Sequence, residues 1–250
     1  MPATLFALDF DGVICDSALE TGLSAWRAAR HIWPELAAEI PAPLLDNFRR
    51  VRPALETGFE SILILRALLD GIPVASLLSG LSAQINAVKR QYQLDDDRLK
   101  TLFGTVRDQW IDEGFAGWIA NNPLYPGIAD FLRQIPAEQL LIITTKQERF
   151  VSAILDANGI SVTAGRIYGL ERQRSKNAIL SDFADQHNGA ICFVEDRLPT
   201  LQKVINEPRL NNIDLWLADW GYNTENDRQT AAQNKRIKIL ALADLNRLTG

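Results

Sequence analysis

One apolar run, Leu5–Leu8, leads into Asp9-Phe-Asp11-Gly12, and the next run of strand character comes only at Leu140. Nearly all of 18–135 carries helical pattern, and this interval constrains the fold more than any other feature. A crossover between parallel strands needs about a dozen residues or somewhat more, so so long a segment is a folding unit in its own right. Further β-branched apolar runs lie at Leu140–Thr144, Ala190–Val194, Ile213–Leu217 and Ile237–Leu240, again separated by helical pattern. That alternation predicts an α/β fold, a Rossmann-like doubly wound parallel sheet core with an inserted all-α domain. The core is expected over 1–17 and 124–250 and the insert over 18–123, with the return at Pro123-Leu-Tyr-Pro-Gly-Ile, where two prolines and a glycine stop one helix before the next begins near Ile128.

Inside the insert, apolar residues recur at helical spacing from Phe59 and from Leu99. Thr57 or Gly58 is expected to begin the first of these helices, and Asp95–Asp97 to cap the second. Trp26, Trp33, Trp110 and Trp118 read as packing residues of this domain.

The chain has 250 residues, 47% hydrophobic and 23% charged, enough to bury a substantial core. Its formal net charge of −5 argues against nucleic acid as the main partner. No run reaches the roughly 18 apolar residues of a membrane span, and no secretory leader pattern opens the chain, so no membrane partner and a cytoplasmic location are expected. With only Cys15, Cys192, His31 and His187, the sequence disfavours a disulfide scaffold, a Cys or His metal site and a Ser-His-Asp triad. Both cysteines read as small buried packing residues.

In an open parallel sheet, functional groups gather beyond the carboxyl ends of the strands. There the sequence places Asp9 and Asp11, then Thr144, Thr145 and Lys146, then Glu195 and Asp196, with Lys176 at the start of a helix expected over Ser175–Ala184. Asp9 and Asp11 are two apart, so on a strand their side chains share a side. Such a carboxylate pair implies a cation or a shared proton. Acids, a hydroxyl and a lysine together suit phosphoryl transfer through an aspartyl phosphate, with oxygen ligands that favour Mg²⁺.

On these residues the chain resembles the haloacid dehalogenase superfamily, in the group of phosphoglycolate phosphatases and β-phosphoglucomutases that carry a helical cap. Asp9-Phe-Asp-Gly-Val matches the first motif, Thr144 the second, Lys176 the third and Glu195-Asp196 the fourth, while Tyr125-Pro-Gly-Ile resembles the cap-to-core junction. The resemblance implies Asp9 as nucleophile and Asp11 as general acid/base, with the Asp11 backbone carbonyl offered to Mg²⁺. It implies that Thr144 or Thr145 and Lys176 hold the phosphoryl group, with Lys176 also restraining Asp9. Asp196 would complete the metal shell, and Glu195 would be a second or water-mediated ligand. Because the family's dehalogenases lack the second aspartate of the first motif and use no metal, Asp11 favours a phosphatase.

Two positions depart from the family pattern. Thr200 stands where a further acid commonly follows the fourth motif, and no proline follows Lys176, which leaves Arg172, Arg174 and Lys146 as weaker candidates for the cation. In the insert, Arg49, Arg50 and Arg52 form the densest basic cluster. Arg49 and Arg52 are candidate contacts for a carboxylate or second phosphate, against a solvated helix face as the commoner arrangement. The expected activity is Mg²⁺-dependent hydrolysis of a small phosphorylated metabolite. A sugar-phosphate mutase, a phosphonatase using Lys89 or Lys100, and a non-catalytic metabolite-binding protein on the same core are the alternatives. The sequence does not specify an oligomeric state.

Overall fold

The structure is a computed structural model that describes residues 3–248. The chain divides into two compact units, one formed by Met1–Asp16 with Leu124–Gly250 and the other by Ser17–Pro123.

The first unit is built on six parallel strands: β1 (Leu5–Leu8), β2 (Leu140–Ile143), β3 (Ile167–Tyr168), β4 (Ile191–Glu195), β5 (Ile213–Ala218) and β6 (Ile237–Leu240). Their order is β3-β2-β1-β4-β5-β6. All residues of β1, β2 and β4 are buried, as central parallel strands covered on both faces require. One face packs Leu5, Ala7, Leu141, Ile143, Ile191 and Phe193 into a cluster with residues of α8 (Lys176–Gln186) and α9 (Leu198–Ile205). On the other, Phe6 meets Phe131 of α6 (Ile128–Gln134) edge to face. Helices therefore cover both faces, with α7 (Glu148–Ala157) and α10 (Glu225–Ala232) completing the set.

Five strands coincide with the apolar runs to within a residue or two. β3 does not appear among them, because two residues carry no periodicity. Ser175 proves to be the cap of α8 rather than its first residue, its hydroxyl accepting from the Ala178 N–H. Cys15 and Cys192 are both buried. Burial, with Asp214 nearby, pushes the Cys192 thiol up to about 12, which suits a packing role.

The second unit is helical throughout its described elements: α1 (Ala18–Ile32), α2 (Ala42–Val51), α3 (Glu60–Leu69), α4 (Val74–Tyr92) and α5 (Asp96–Ala120), with a short 3₁₀ turn at Arg52–Ala54. Its core gathers Trp26, Trp33, Phe48, Ile62, Leu63 and Phe103 with other apolar residues of these helices. Trp118 is also buried, whereas Trp110 is half-buried beneath the Arg27 guanidinium. The Asp95 carboxylate caps α5 by accepting from the Arg98 N–H. Helix α3 starts later than its sequence suggests. The Glu60 carboxylate reaches back to the N–H groups of Glu56 and Thr57, so a turn precedes the helix.

A charge pair lies inside this unit. Glu20 of α1 is fully buried and Arg107 of α5 is 5% exposed, joined by contacts of 2.7 and 2.6 Å, while Trp118 Nε1 and Ser24 Oγ also donate to Glu20. With its acceptors occupied the pair is tolerated, but either partner alone is a stranded charge. Arg107→Met is expected to lower unfolding free energy by about 3–5 kcal/mol in urea titrations. A compensating Glu20→Met should recover most of that loss, which a mere packing defect would not allow.

Candidate active site

The strand order changes direction beside β1, which pairs with β2 on one side and β4 on the other. A crevice opens beyond the carboxyl ends at such a point. Asp9, Thr144 and Asp196 immediately follow β1, β2 and β4, and Glu195 is the last residue of β4. The Asp9 N–H continues the ladder to Val194 O at 3.0 Å, and the Thr144 N–H does so to Tyr168 O at 2.9 Å.

Asp9, Glu195 and Asp196 are buried and present carboxylate oxygens within 4.8 Å of one another. Lys176, at the first turn of α8, lies 2.9 Å from Asp9 Oδ1 and 2.7 Å from Glu195 Oε2. Asp9 Oδ1 also accepts from the Phe10 N–H at 2.8 Å. Glu195 Oε1 accepts from the N–H groups of Asp196 and Arg197. The other two candidate cations from that stretch lie elsewhere: Arg172 is paired with Glu148 and Arg174 with Asp182, both near the surface.

One ammonium between two carboxylates divides its effect unequally. Burial pushes the Asp9 carboxyl up to about 7 against the pull of Lys176, with Glu195 adding to the rise. Burial acts on Glu195 in the same sense, but Lys176 and the backbone N–H groups outweigh it and hold that carboxyl below its usual range. Lys176 itself stays protonated, because Asp9 and Glu195 overcome the cost of burying its charge.

Asp11 is held by a second lysine. Lys146, three residues past the end of β2, places Nζ 3.1 Å from Asp11 Oδ1. The Lys146 N–H donates to Thr144 Oγ1 at 3.1 Å, so the threonine hydroxyl also shapes the turn that carries the lysine. Thr145 is half-buried in the same turn. Four carboxylates thus face two ammonium groups, a formal excess of two negative charges. An all-oxygen donor set with that deficit fits a hard divalent cation such as Mg²⁺.

The aspartates depend on a segment that strand-end reasoning stopped short of, the turn after β5. The Tyr222 N–H donates to Asp196 Oδ2 at 2.7 Å, and Asn223 Nδ2 donates to Asp196 O at 3.0 Å. Tyr222 Oη reaches Asp16 Oδ1 at 2.8 Å, and Trp220 Nε1 reaches Val13 O at 3.2 Å, so one turn braces both Asp196 and the loop after β1. Listing the residues after Ala218 as another strand end would have found it.

The arginine cluster of the helical unit splits. Arg49 and Arg50 are exposed on α2, but Arg52 is buried in the turn that follows, which corrects the solvated-face reading for that residue. Its position past the end of α2 takes it off the helix's outer face. Lys89 and Lys100 lie in ion pairs with Asp96 and Asp97.

A family model described as haloacid dehalogenase-like hydrolase matches residues 3–202, a stretch that includes Asp9, Asp11, Glu195 and Asp196 and ends before Tyr222. No curated protein matches the sequence. Among solved structures, a predicted phosphoglycolate phosphatase from Haemophilus somnus is 16% identical with a TM-score of 0.60, over 98% of this chain and 97% of its own. A predicted phosphatase from Clostridium acetobutylicum is 13% identical with a TM-score of 0.58, over 100% and 99%. A hydrolase from Pseudomonas syringae is 14% identical with a TM-score of 0.57, over 99% and 98%. At these identities the likeness is one of fold. No helix among the described residues is long and apolar enough to cross a membrane. With the family model matching most of its length, the chain belongs to the haloacid dehalogenase-like hydrolases, a family of enzymes.

Proposed function

We propose that the protein is a Mg²⁺-dependent phosphatase that hydrolyses a small phosphorylated metabolite through an aspartyl phosphate on Asp9. The observation that carries this reading is the Lys176 bridge between Asp9 and Glu195, set beside Asp196 and the Asp11–Lys146 pair. Both hydrogen bonds accepted by Asp9 fall on Oδ1, which fixes the carboxylate plane and directs Oδ2 as the attacking atom. The bond from Asp9 to phosphorus forms as the ester P–O bond breaks, and Asp11 gives its proton to the departing oxygen. Asp11 then takes a proton from water as that water attacks phosphorus, and Asp9 leaves as a carboxylate. Lys176 and the hydroxyls of Thr144 and Thr145 hold the phosphoryl oxygens.

Asp9, Asp196 and the Asp11 carbonyl would hold the cation, while Glu195 is committed to Lys176 and the backbone. Bound Mg²⁺ supplies positive charge to the phosphoryl oxygens and to the crowded carboxylates. The helical unit would act as the cap that selects the substrate.

A panel of phosphate monoesters assayed with and without Mg²⁺ tests the proposal. Release of phosphate from at least one ester only when Mg²⁺ is present is expected, and inactivity across the panel with excess Mg²⁺ would refute it. A second expectation follows from Asp9. Since its carboxyl is pushed up to about 7, binding a cation must displace a proton at pH 5 but little at pH 8. The rise in melting temperature produced by Mg²⁺ should therefore be larger at pH 8 than at pH 5.

A further inference from the structure

Lys146 is built into the molecule more firmly than a solvated lysine. Its side chain is 1% exposed, whereas the Asp11 side chain it bonds is 18% exposed. The backbone around it is pinned on both sides. Its N–H donates to Thr144 Oγ1, and its carbonyl accepts from the Leu170 N–H at 3.0 Å. Gly169 packs so tightly there that a Cβ would lie 2.6 Å from the Lys146 carbonyl oxygen. The ammonium also sits 5.9 Å from the centre of the Phe10 ring, between Asp9 and Asp11 in sequence. A buried ammonium is costly unless a partner of fixed geometry offsets it. Asp11 is such a partner, and the same contact fixes Asp11.

We infer that Lys146 is a positioning residue for proton transfer: its bond to Asp11 Oδ1 fixes the orientation of the carboxyl group that faces the leaving-group oxygen. The inference rests on the phosphatase reading above. An ammonium only donates, so it engages Oδ1 as an acceptor whether Asp11 is a carboxylate or a carboxylic acid. In the first step the Asp11 proton passes to the departing alkoxide as its bond to phosphorus breaks and the bond to Asp9 forms. In the second, Asp11 receives the proton of the attacking water while the Asp9–phosphorus bond breaks, and Asp11 is restored. Nothing else is consumed. Lys176 has a different task, since its contacts are with Asp9 and Glu195.

The consequence is a dependence on the leaving group. An alkyl phosphate needs its departing oxygen protonated, whereas 2,4-dinitrophenyl phosphate departs as a stable anion. Lys146→Met keeps the length and apolar stem of the side chain and removes the donor. The expected result is a fall in kcat/KM of about 100-fold or more on an alkyl phosphate, the scale of positioned acid catalysis, with less than about a tenth of that effect on the dinitrophenyl ester. The slowed second step should appear as a burst of dinitrophenolate stoichiometric with enzyme. Lys146→Arg, which retains a donor at this place, should recover part of the alkyl phosphate activity and shrink the burst. Equal losses on both esters, or no loss on either, would overturn the role of Lys146 while leaving the phosphatase standing. A wild-type protein that hydrolyses neither ester nor any member of the panel would overturn both.

Discussion

Asp9→Asn is expected to abolish turnover on every ester the wild-type protein accepts, a loss of at least about 10⁴-fold in kcat, because an amide cannot form the covalent intermediate. The loss should come without damage to the fold. The amide oxygen of asparagine can still accept from the Phe10 N–H and Lys176, and Lys176 keeps its shorter contact with Glu195. Stability should even move upward under one condition. The Asp9 carboxyl is raised to about 7 from its ordinary value near 4, so its ionisation costs the metal-free fold nothing below the unfolded value, progressively more as pH rises from there to about 7, and a constant amount above that. Asparagine removes that cost. Without Mg²⁺, the variant should melt at or above wild type at pH 8, and the difference should vanish towards pH 4. A variant that retains Mg²⁺-dependent turnover would remove Asp9 as the nucleophile; one that melts lower at pH 8 would show the Asp9 charge to be well accommodated without a cation.

Gly12→Ala is the second large effect. Gly12 has φ +91, in the left-handed region, and a Cβ there would fall 2.0 Å from Asp196 Oδ2 and 2.8 Å from the Tyr222 ring. Backbone strain of about 1–3 kcal/mol and overpacking of similar size should add, for a total of about 2–6 kcal/mol. The overlap has no flexible side-chain end to absorb it. Asp196 is tied by its backbone to Asn223 and by Oδ2 to Tyr222, so displacing it disturbs the whole turn after β5. Mg²⁺ affinity, measured by calorimetry, is expected to fall by about 10–100-fold. Gly127→Ala supplies the control. Its φ is +81 with nothing within 4 Å of the added Cβ, so it carries the backbone strain alone. If both variants lose the same stability and Gly12→Ala binds Mg²⁺ as wild type does, the close approach of Gly12 to Asp196 has no bearing on the cation.

Much of the core was legible in the chain because its signals are local. Leu5–Leu8, Leu140–Ile143 and Ile191–Val194 are continuous apolar runs, as strands buried on both faces must be, and the residues that follow them are the acids and hydroxyls of the site. β3 was not legible, since Ile167–Tyr168 is shorter than any period. Arg52 looked like its exposed neighbours Arg49 and Arg50, for nothing in three arginines within four residues tells which one the turn at the end of α2 carries inward. Tyr222 and Asn223 lay in an ordinary polar turn, and only the pairing of β4 with β5 gives that turn its importance.

By itself, then, the sequence determined which elements form and which side chains stand at their ends, because hydrophobic period and turn chemistry act over a few residues. Which ends meet was decided by tertiary structure. Lys146 and Asp11 are 135 residues apart, and Tyr222 and Asp196 are 26 apart. Each pair exists because β1 is flanked by β2 and β4, and β4 in turn by β5. Strand order arises from how helices cover the two faces of the sheet, a long-range packing balance that no local pattern encodes. That balance also makes one ammonium serve two carboxylates at Asp9 and Glu195, so the unequal charges of the two acids belong to the fold and not to either residue.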